Sequence, residues 1–401
     1  MDISNLRAVL TCCLLSAACI LSAQDKVKFT GYLQPQFQYG EQYSTLKVGT
    51  ENHEKDKSFN RIGIRRGRFN LIYTETYGSL AVQIDATERG VLLKNAILTM
   101  KDIWWKTSYL SAGVFEPPFG KEVDYSSAKR ESPESSLLFQ TLFPEERDLG
   151  ALIRLRPAES SPLHFLFLDA AVVAGNGAKM ETDSRKDVIL HLYYSRQAGS
   201  LFLIEGGLSY YNGGVYQGTS KVFRMDKSTN GFVMDDAAVN LGRFAKREYK
   251  GIDVQVYMLN DAWKRQIRAE LIAGTQPGSI GSSVSHNAST LPTHDTYLRP
   301  FLGGYAIFVQ RIAATPFSAV AKYEWYDPNT AVAGDELGLK GTTATDVRRN
   351  TLGMGMLWEP GEHFRLQSYF EFNRNEQSAN LAGYETDRKD NVLTVRLQYR
   401  F

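Results

Sequence analysis

The side chains that could do chemistry in this chain are mainly basic, and they alternate with apolar ones. Arg154 and Arg156 stand opposite Ala151, Ile153 and Leu155. Arg396 and Arg400 fall with Thr394 and Gln398, opposite Leu393, Val395, Leu397, Tyr399 and Phe401. Arg365 lies between Phe364 and Leu366, and Arg66, Arg68 and Asn70 oppose Phe69, Leu71 and Tyr73. A row of guanidinium groups suits phosphate or carboxylate, because the planar fork can donate two parallel hydrogen bonds. That is electrostatic selection of anions, not bond making. The same face also carries Asp85, Asp253, Glu270, Glu324 and Glu371, so a mixed-charge face with weak anion preference is the standing alternative.

Nothing points to catalysis. The chain has no G-x-S-x-G elbow and no H-E-x-x-H, and no C-x-x-C pair lies beyond residue 23. The histidines His53, His164, His191, His286, His294 and His363 lack metal-ligand spacing, so neither a metal nor a cofactor is expected. Asp327, Asn329, Asp335 and Glu336 could hold calcium at a surface, but read more simply as solvated loop.

The elements that must position these side chains are strands. Period-2 alternation recurs along the chain and no sustained helical period does. About sixteen strands are predicted, near 29–39, 59–74, 77–87, 91–101, 106–115, 148–157, 163–173, 186–196, 201–211, 248–259, 262–274, 297–310, 316–326, 346–359, 362–373 and 389–401. Most reach the roughly 9–11 residues that a tilted strand needs to cross a bilayer. Connections after even-numbered strands are short and those after odd-numbered strands mostly long, with the link near 88–90 an exception. A transmembrane antiparallel β-barrel with short periplasmic turns and long extracellular loops has this rhythm; a soluble sandwich has no reason to sort its loops by parity. Trp104, Trp105, Trp263, Trp325 and Trp358 all fall at strand ends or turns, as in an interfacial aromatic girdle.

An open sheet edge is excluded from hydrocarbon, so the sheet must close and its polar face must enclose water. An arginine on the lipid side at mid-depth would cost roughly 2–4 kcal/mol, which assigns the arginines above to the lumen. Ile62 and Ile64 share parity with Arg66 and conflict with this, unless a β-bulge intervenes or that section stands above the membrane.

Composition agrees. The 401 residues carry 46 Lys+Arg against 44 Asp+Glu, too even for a nucleic-acid protein built on a large basic face. Hydrophobic content of 43% without repeated apolar runs of about 20 residues excludes a bundle of membrane helices. The 21 Tyr and 21 Phe favour strands.

Residues 1–23 read as a secretory signal peptide: Arg7, then the small apolar run Ala8 to Ala23, then Gln24, Asp25 and Lys26. Cys12, Cys13 and Cys19 all lie in it, so the exported chain, residues 24–401, is one domain without disulfides. Ser16-Ala17-Ala18-Cys19 only loosely resembles a lipidation site.

Three segments between residues 61 and 150 stand out: Arg65-Arg66-Gly67-Arg68-Phe69, Ala112-Gly113-Val114-Phe115-Glu116-Pro117-Pro118-Phe119-Gly120-Lys121-Glu122, and Glu146-Arg147-Asp148-Leu149-Gly150. In these the chain resembles the phosphate-selective porin O and P family. Asn95 departs from it, where an acidic residue before Ala96 belongs. The resemblance implies a homotrimeric anion channel of the Gram-negative outer membrane. It implies that residues 116–147 fold inward and narrow the pore, with Lys121, Lys129, Arg130 and Arg147 supplying positive charge and Glu122, Asp124, Glu131 and Glu134 opposing it. Pro117 and Pro118 would end the preceding strand and Gly120 permit an unusual backbone angle. Phe401 resembles the C-terminal signal read by barrel-assembly machinery. The implied partners are outer-membrane lipid and small anionic solutes. An outer-membrane enzyme and a secreted glycan-binding β protein are the competing readings.

Overall fold

The computed structural model describes residues 26–54, 56–102, 107–226, 228–260 and 264–401. The expected signal peptide and Trp104, Trp105 and Trp263 lie outside them. Alternation builds the strands and decides which way each side chain faces. In β1 (Val27–Gly40), Gln34, Gln36 and Gln38 are buried while Phe29, Leu33 and Tyr39 are exposed. A sheet folding in water would exchange the two sets. The last strand repeats the inversion: Thr394, Arg396 and Gln398 are buried, Leu397 and Tyr399 exposed.

The remaining strands are β2 (Phe59–Thr74), β3 (Gly78–Thr87), β4 (Gly90–Lys101), β5 (Tyr109–Phe115), β6 (Asp148–Leu155), β7 (Leu166–Val173), β8 (Asp187–Ala198), β9 (Phe202–Tyr216), β10 (Lys221–Asp226), β11 (Gly231–Asp236), β12 (Phe244–Met258), β13 (Arg265–Gly278), β14 (Thr296–Arg311), β15 (Phe317–Asp327), β16 (Arg349–Trp358), β17 (Phe364–Asn375) and β18 (Val392–Arg400). The sheet holds 18 strands; without the hairpin β10–β11, sixteen remain. These pair antiparallel around a closed ring, in which β9 joins β12 and β18 joins β1. The fold is a transmembrane β-barrel. Closure leaves no strand edge in hydrocarbon, and the exposed apolar faces of the strands form the lipid-facing surface.

Short connections at 75–77, 199–201, 312–316 and 359–363 mark the periplasmic end. The long segments 41–58, 116–147, 174–186, 217–243, 279–295, 328–348 and 376–391 leave from the other end, where the turn at 88–89 is short. The stretch 212–247, read from sequence as loop, is partly strand. β9 runs to Tyr216 and β12 begins at Phe244, and between them β10 pairs antiparallel with β11 and parallel with the start of β14. Asp226 starts the hairpin turn by accepting the Ser228 N–H at 2.8 Å. At the short-turn end β6 stops at Leu155 and β7 starts at Leu166, leaving a longer turn than the spacing predicts. Trp325 lies near the end of β15, and Trp358 is the last residue of β16.

The parity conflict in β2 is resolved by a bulge. Gln34 pairs with Arg66 but the next residue, Pro35, pairs with Ile64, so Arg65 is the extra residue. Below it Arg66 and Arg68 point inward; above it Ile62, 76% exposed, points outward.

One feature departs from a simple water-filled lumen. A cluster of buried Phe119, Leu138, Phe139, Leu142, Phe143, Tyr211, Tyr249, Ile272, Phe301 and Tyr305 packs inside the barrel. Half of it comes from inward positions of β9, β12, β13 and β14, and half from residues 116–147.

Candidate permeation site

The site starts where β5 ends. Phe115 is buried, and Pro117 and Pro118 turn the chain into the lumen. Gly120 has φ +61, and a Cβ there would stand 2.2 Å from Glu270 Oε2. That carboxylate accepts the Lys121 N–H at 2.9 Å, and the Gly120 N–H donates to Ser209 Oγ at 2.9 Å. Only glycine fits, because backbone angle and space are both exceptional here. Phe119 then packs edge-on against Tyr249, with ring centroids 6.3 Å apart. The short helix α1 (Leu137–Leu142) buries Leu138, Phe139 and Leu142 on the same patch. Burying each of these apolar side chains contributes roughly 1.5–3 kcal/mol.

The rest of the segment is held by charge. Glu134 accepts from Arg65 Nε and Nη2 at 2.8 Å each, from Arg66 Nη2 at 2.7 Å and from Arg396 Nη2 at 2.7 Å. Burial alone would push this carboxyl up; the three guanidinium groups outweigh it and hold it well below the usual carboxylate range. Arg396 Nη1 also donates to the Pro133 carbonyl at 2.6 Å. Arg365 Nη1 donates to the carbonyls of Ala128 and Arg130, at 3.2 and 3.1 Å. Glu131 pairs with Arg268, and Glu122 accepts from Lys322 Nζ at 3.1 Å. Segment 116–147 therefore crosses the lumen from β5 to the wall formed by β17, β18, β1 and β2.

The candidate pore-lining arginines separate into two sets. Arg66, Arg365 and Arg396 point inward but are buried and spent on the segment. Arg68 is also buried, 3.5 Å from Asp85. Arg154, beside Asp169 at 3.2 Å, and Arg156 keep partial access to the lumen, as does Arg400, whose Nε donates to the Glu362 carbonyl. The candidate cations of the segment divide likewise. Arg130 is buried on Glu146 at 3.0 Å, and Arg147 on Glu116 at 2.7 Å. Lys121 is half-buried, 3.6 Å from Glu205, and Lys129 is exposed. Asn95, the departure from the family pattern, bridges Arg147 and Glu116 through its amide.

The remaining motif residues are structural. Gly113, at φ +127, brings β5 against β4, where a Cβ would meet the Ala96 carbonyl at 1.9 Å. Asp148 accepts the Leu149 and Gly175 N–H groups, at 2.8 and 3.2 Å, and Gly150 pairs with Gly113 across β6 and β5. Beneath the segment, a cavity of about 1130 Å³ lined by Arg265, Gln266, Glu359, Arg365 and Arg400 opens at the short-turn end. Among the described residues no cluster of His, Cys, Asp or Glu could hold a metal ion. His191 is buried and bonded to Asp253 at 3.3 Å.

Sequence reasoning missed Arg65, Arg268 and Lys322 as anchors. The last two were within reach, since they share strand parity with the inward acids Glu270 and Glu324. Arg65 was not, because the bulge that turns it inward depends on its pairing with β1.

No family model and no curated protein matches the chain. Solved structures do. The outer membrane channel DcaP of Acinetobacter baumannii aligns with TM-score 0.56 at 11% identity, over 94% of this chain and 97% of that one. An anion-selective porin from Comamonas acidovorans aligns with TM-score 0.56 at 8% identity, over 94% and 99%. OmpF of Salmonella typhi, in complex with daunomycin, aligns with TM-score 0.56 at 11% identity, over 94% and 97%. At these identities the likeness shows the barrel fold.

Proposed function

We propose that this chain is an outer-membrane porin, a passive channel for small hydrophilic solutes with a weak preference for anions. The observation that carries it is the inverted barrel: apolar side chains outside, ionisable side chains inside, and an internal segment that narrows the lumen. A water-filled lumen selects by its width and by the charges on its wall. Structural neighbours that include a channel and an anion-selective porin support the reading.

Phosphate selectivity is less well supported than weak anion preference. Arg66, Arg365 and Arg396, the arginines best suited to a phosphate ladder, are occupied by Glu134 and by backbone carbonyls. The cations left with access, Lys121, Lys129, Arg154, Arg156 and Arg400, share the lumen with Asp124, Asp169 and Glu205. Export by residues 1–23, recognition of Phe401 during assembly and a homotrimeric state complete the proposal; one neighbour is described as a trimer form.

The test is a planar bilayer containing the purified protein under a KCl gradient. Steady ohmic current with a modestly anion-favouring reversal potential is the expected result. A cation-favouring potential overturns the anion preference, and the absence of current overturns the channel.

A further inference from the structure

One aromatic surface in the lumen is left uncovered. On the β9–β14 side, Tyr211, Tyr249 and Tyr305 are buried beneath residues 116–147. On the adjoining wall, β5 to β8, which meets β9 through the β8–β9 pairing, Tyr109, Phe167 and Tyr193 keep partial exposure. Strand register places them together: Tyr109 pairs with Arg154, Arg154 with Asp169, and Phe167 with Tyr193. The Phe167 and Tyr193 rings stack with centroids 5.9 Å apart and planes 27° apart.

Three cations border these rings. The Arg156 guanidinium lies 4.5 Å from the Phe167 centroid, Arg154 lies 5.7 Å from that of Tyr109, and Lys121 Nζ lies 5.6 Å from that of Tyr193. Their charges are not equally available. Arg154 has Asp169, and Lys121 has Glu205. Among the described residues no carboxylate forms an ion pair with Arg156.

We propose that this wall, with Phe167 and Tyr193 as its floor and Arg156 as its charge, binds small aromatic monocarboxylates, benzoate being the simplest probe. The inference rests on the porin reading and names a solute class for it. The Arg156 N–H edge matches a carboxylate, and the flat faces of the rings and of the guanidinium accept an aryl group. Inorganic phosphate would use the guanidinium and leave the rings idle. Asp169 and Glu205 beside the site disfavour a second negative charge, which selects monoanions over dianions.

The experiment compares benzoate, acetate and benzylammonium on the full chain. Current blockade is read in a planar bilayer, and solute contact is read by saturation-transfer NMR on protein folded in detergent. One added aromatic contact predicts benzoate acting at roughly tenfold lower concentration than acetate, with benzylammonium weaker than benzoate. Phe167→Leu and Arg156→Gln each remove most of that difference, whereas Phe167→Tyr preserves it. Heat-dependent gel migration verifies that each variant forms a barrel. Equal action of benzoate and acetate in a conducting channel overturns this inference alone. Absence of current in any salt overturns the porin reading, and the NMR comparison then still decides whether the wall binds benzoate.

Discussion

Neutralising Glu134 tests the central role given to charge in docking the internal segment. Glu134→Gln keeps the side chain's size but removes the negative charge shared by Arg65, Arg66 and Arg396. Removing one partner of a buried ion pair costs about 3–5 kcal/mol, because the remaining charge stays buried and unpaired. At about 1.4 kcal/mol per tenfold, that raises the local undocked fraction by roughly 140- to 3,700-fold. The apolar anchors should keep their end in place: Phe119, Leu138, Phe139, Leu142 and Phe143 together contribute roughly 8–15 kcal/mol. The expected outcome is therefore local release around residues 127–136. Single-channel conductance rises, and the reversal potential moves toward anions as three guanidinium groups reach water. Bilayer recording checks both quantities in the same membrane. If conductance is unchanged and only the reversal potential moves slightly, Glu134 is an ordinary wall charge and the latch is refuted.

Three other perturbations probe separate links. Gly120→Val forces a side chain against Glu270 at a backbone angle valine resists, so the segment should dock poorly, with higher and noisier conductance and a lower Tm by circular dichroism. Leu208, exposed in the middle of β9, faces lipid; Leu208→Arg should destabilise the barrel by about 2–4 kcal/mol in urea titrations of vesicle-inserted protein, and a change within 0.5 kcal/mol would contradict the assigned face. Deleting Phe401 removes the ring packed 5.6 Å from Phe29 and 6.2 Å from Phe69; the outer-membrane fraction should fall severalfold on a fractionation blot while refolding in detergent persists.

Much of the molecule could be read in the sequence. Two-residue alternation, in a chain with no sustained helical period, requires a sheet with one polar and one apolar face. The outward Leu397 and Tyr399 and the inward Arg396 and Gln398 follow from parity alone. Loop lengths sorted by parity gave the ring its two ends. Less legible was the hairpin β10–β11, because strands of six residues that each bury a single position, Val222 and Gly231, have little periodicity to show. The bulge at Arg65 was visible only as a contradiction between Ile64 and Arg66.

The sequence by itself determined that the strands are inverted for lipid and that their charges face inward. It could not determine whether those charges meet water. That was decided by the path of residues 116–147 across the lumen, which consumed Arg66, Arg365 and Arg396 and left Arg154 and Arg156 accessible. The physical reason is that alternation is a local property of each strand. Which guanidinium finds a carboxylate depends on contacts between residues hundreds of positions apart, such as Glu134 and Arg396, and those exist only once the ring has closed.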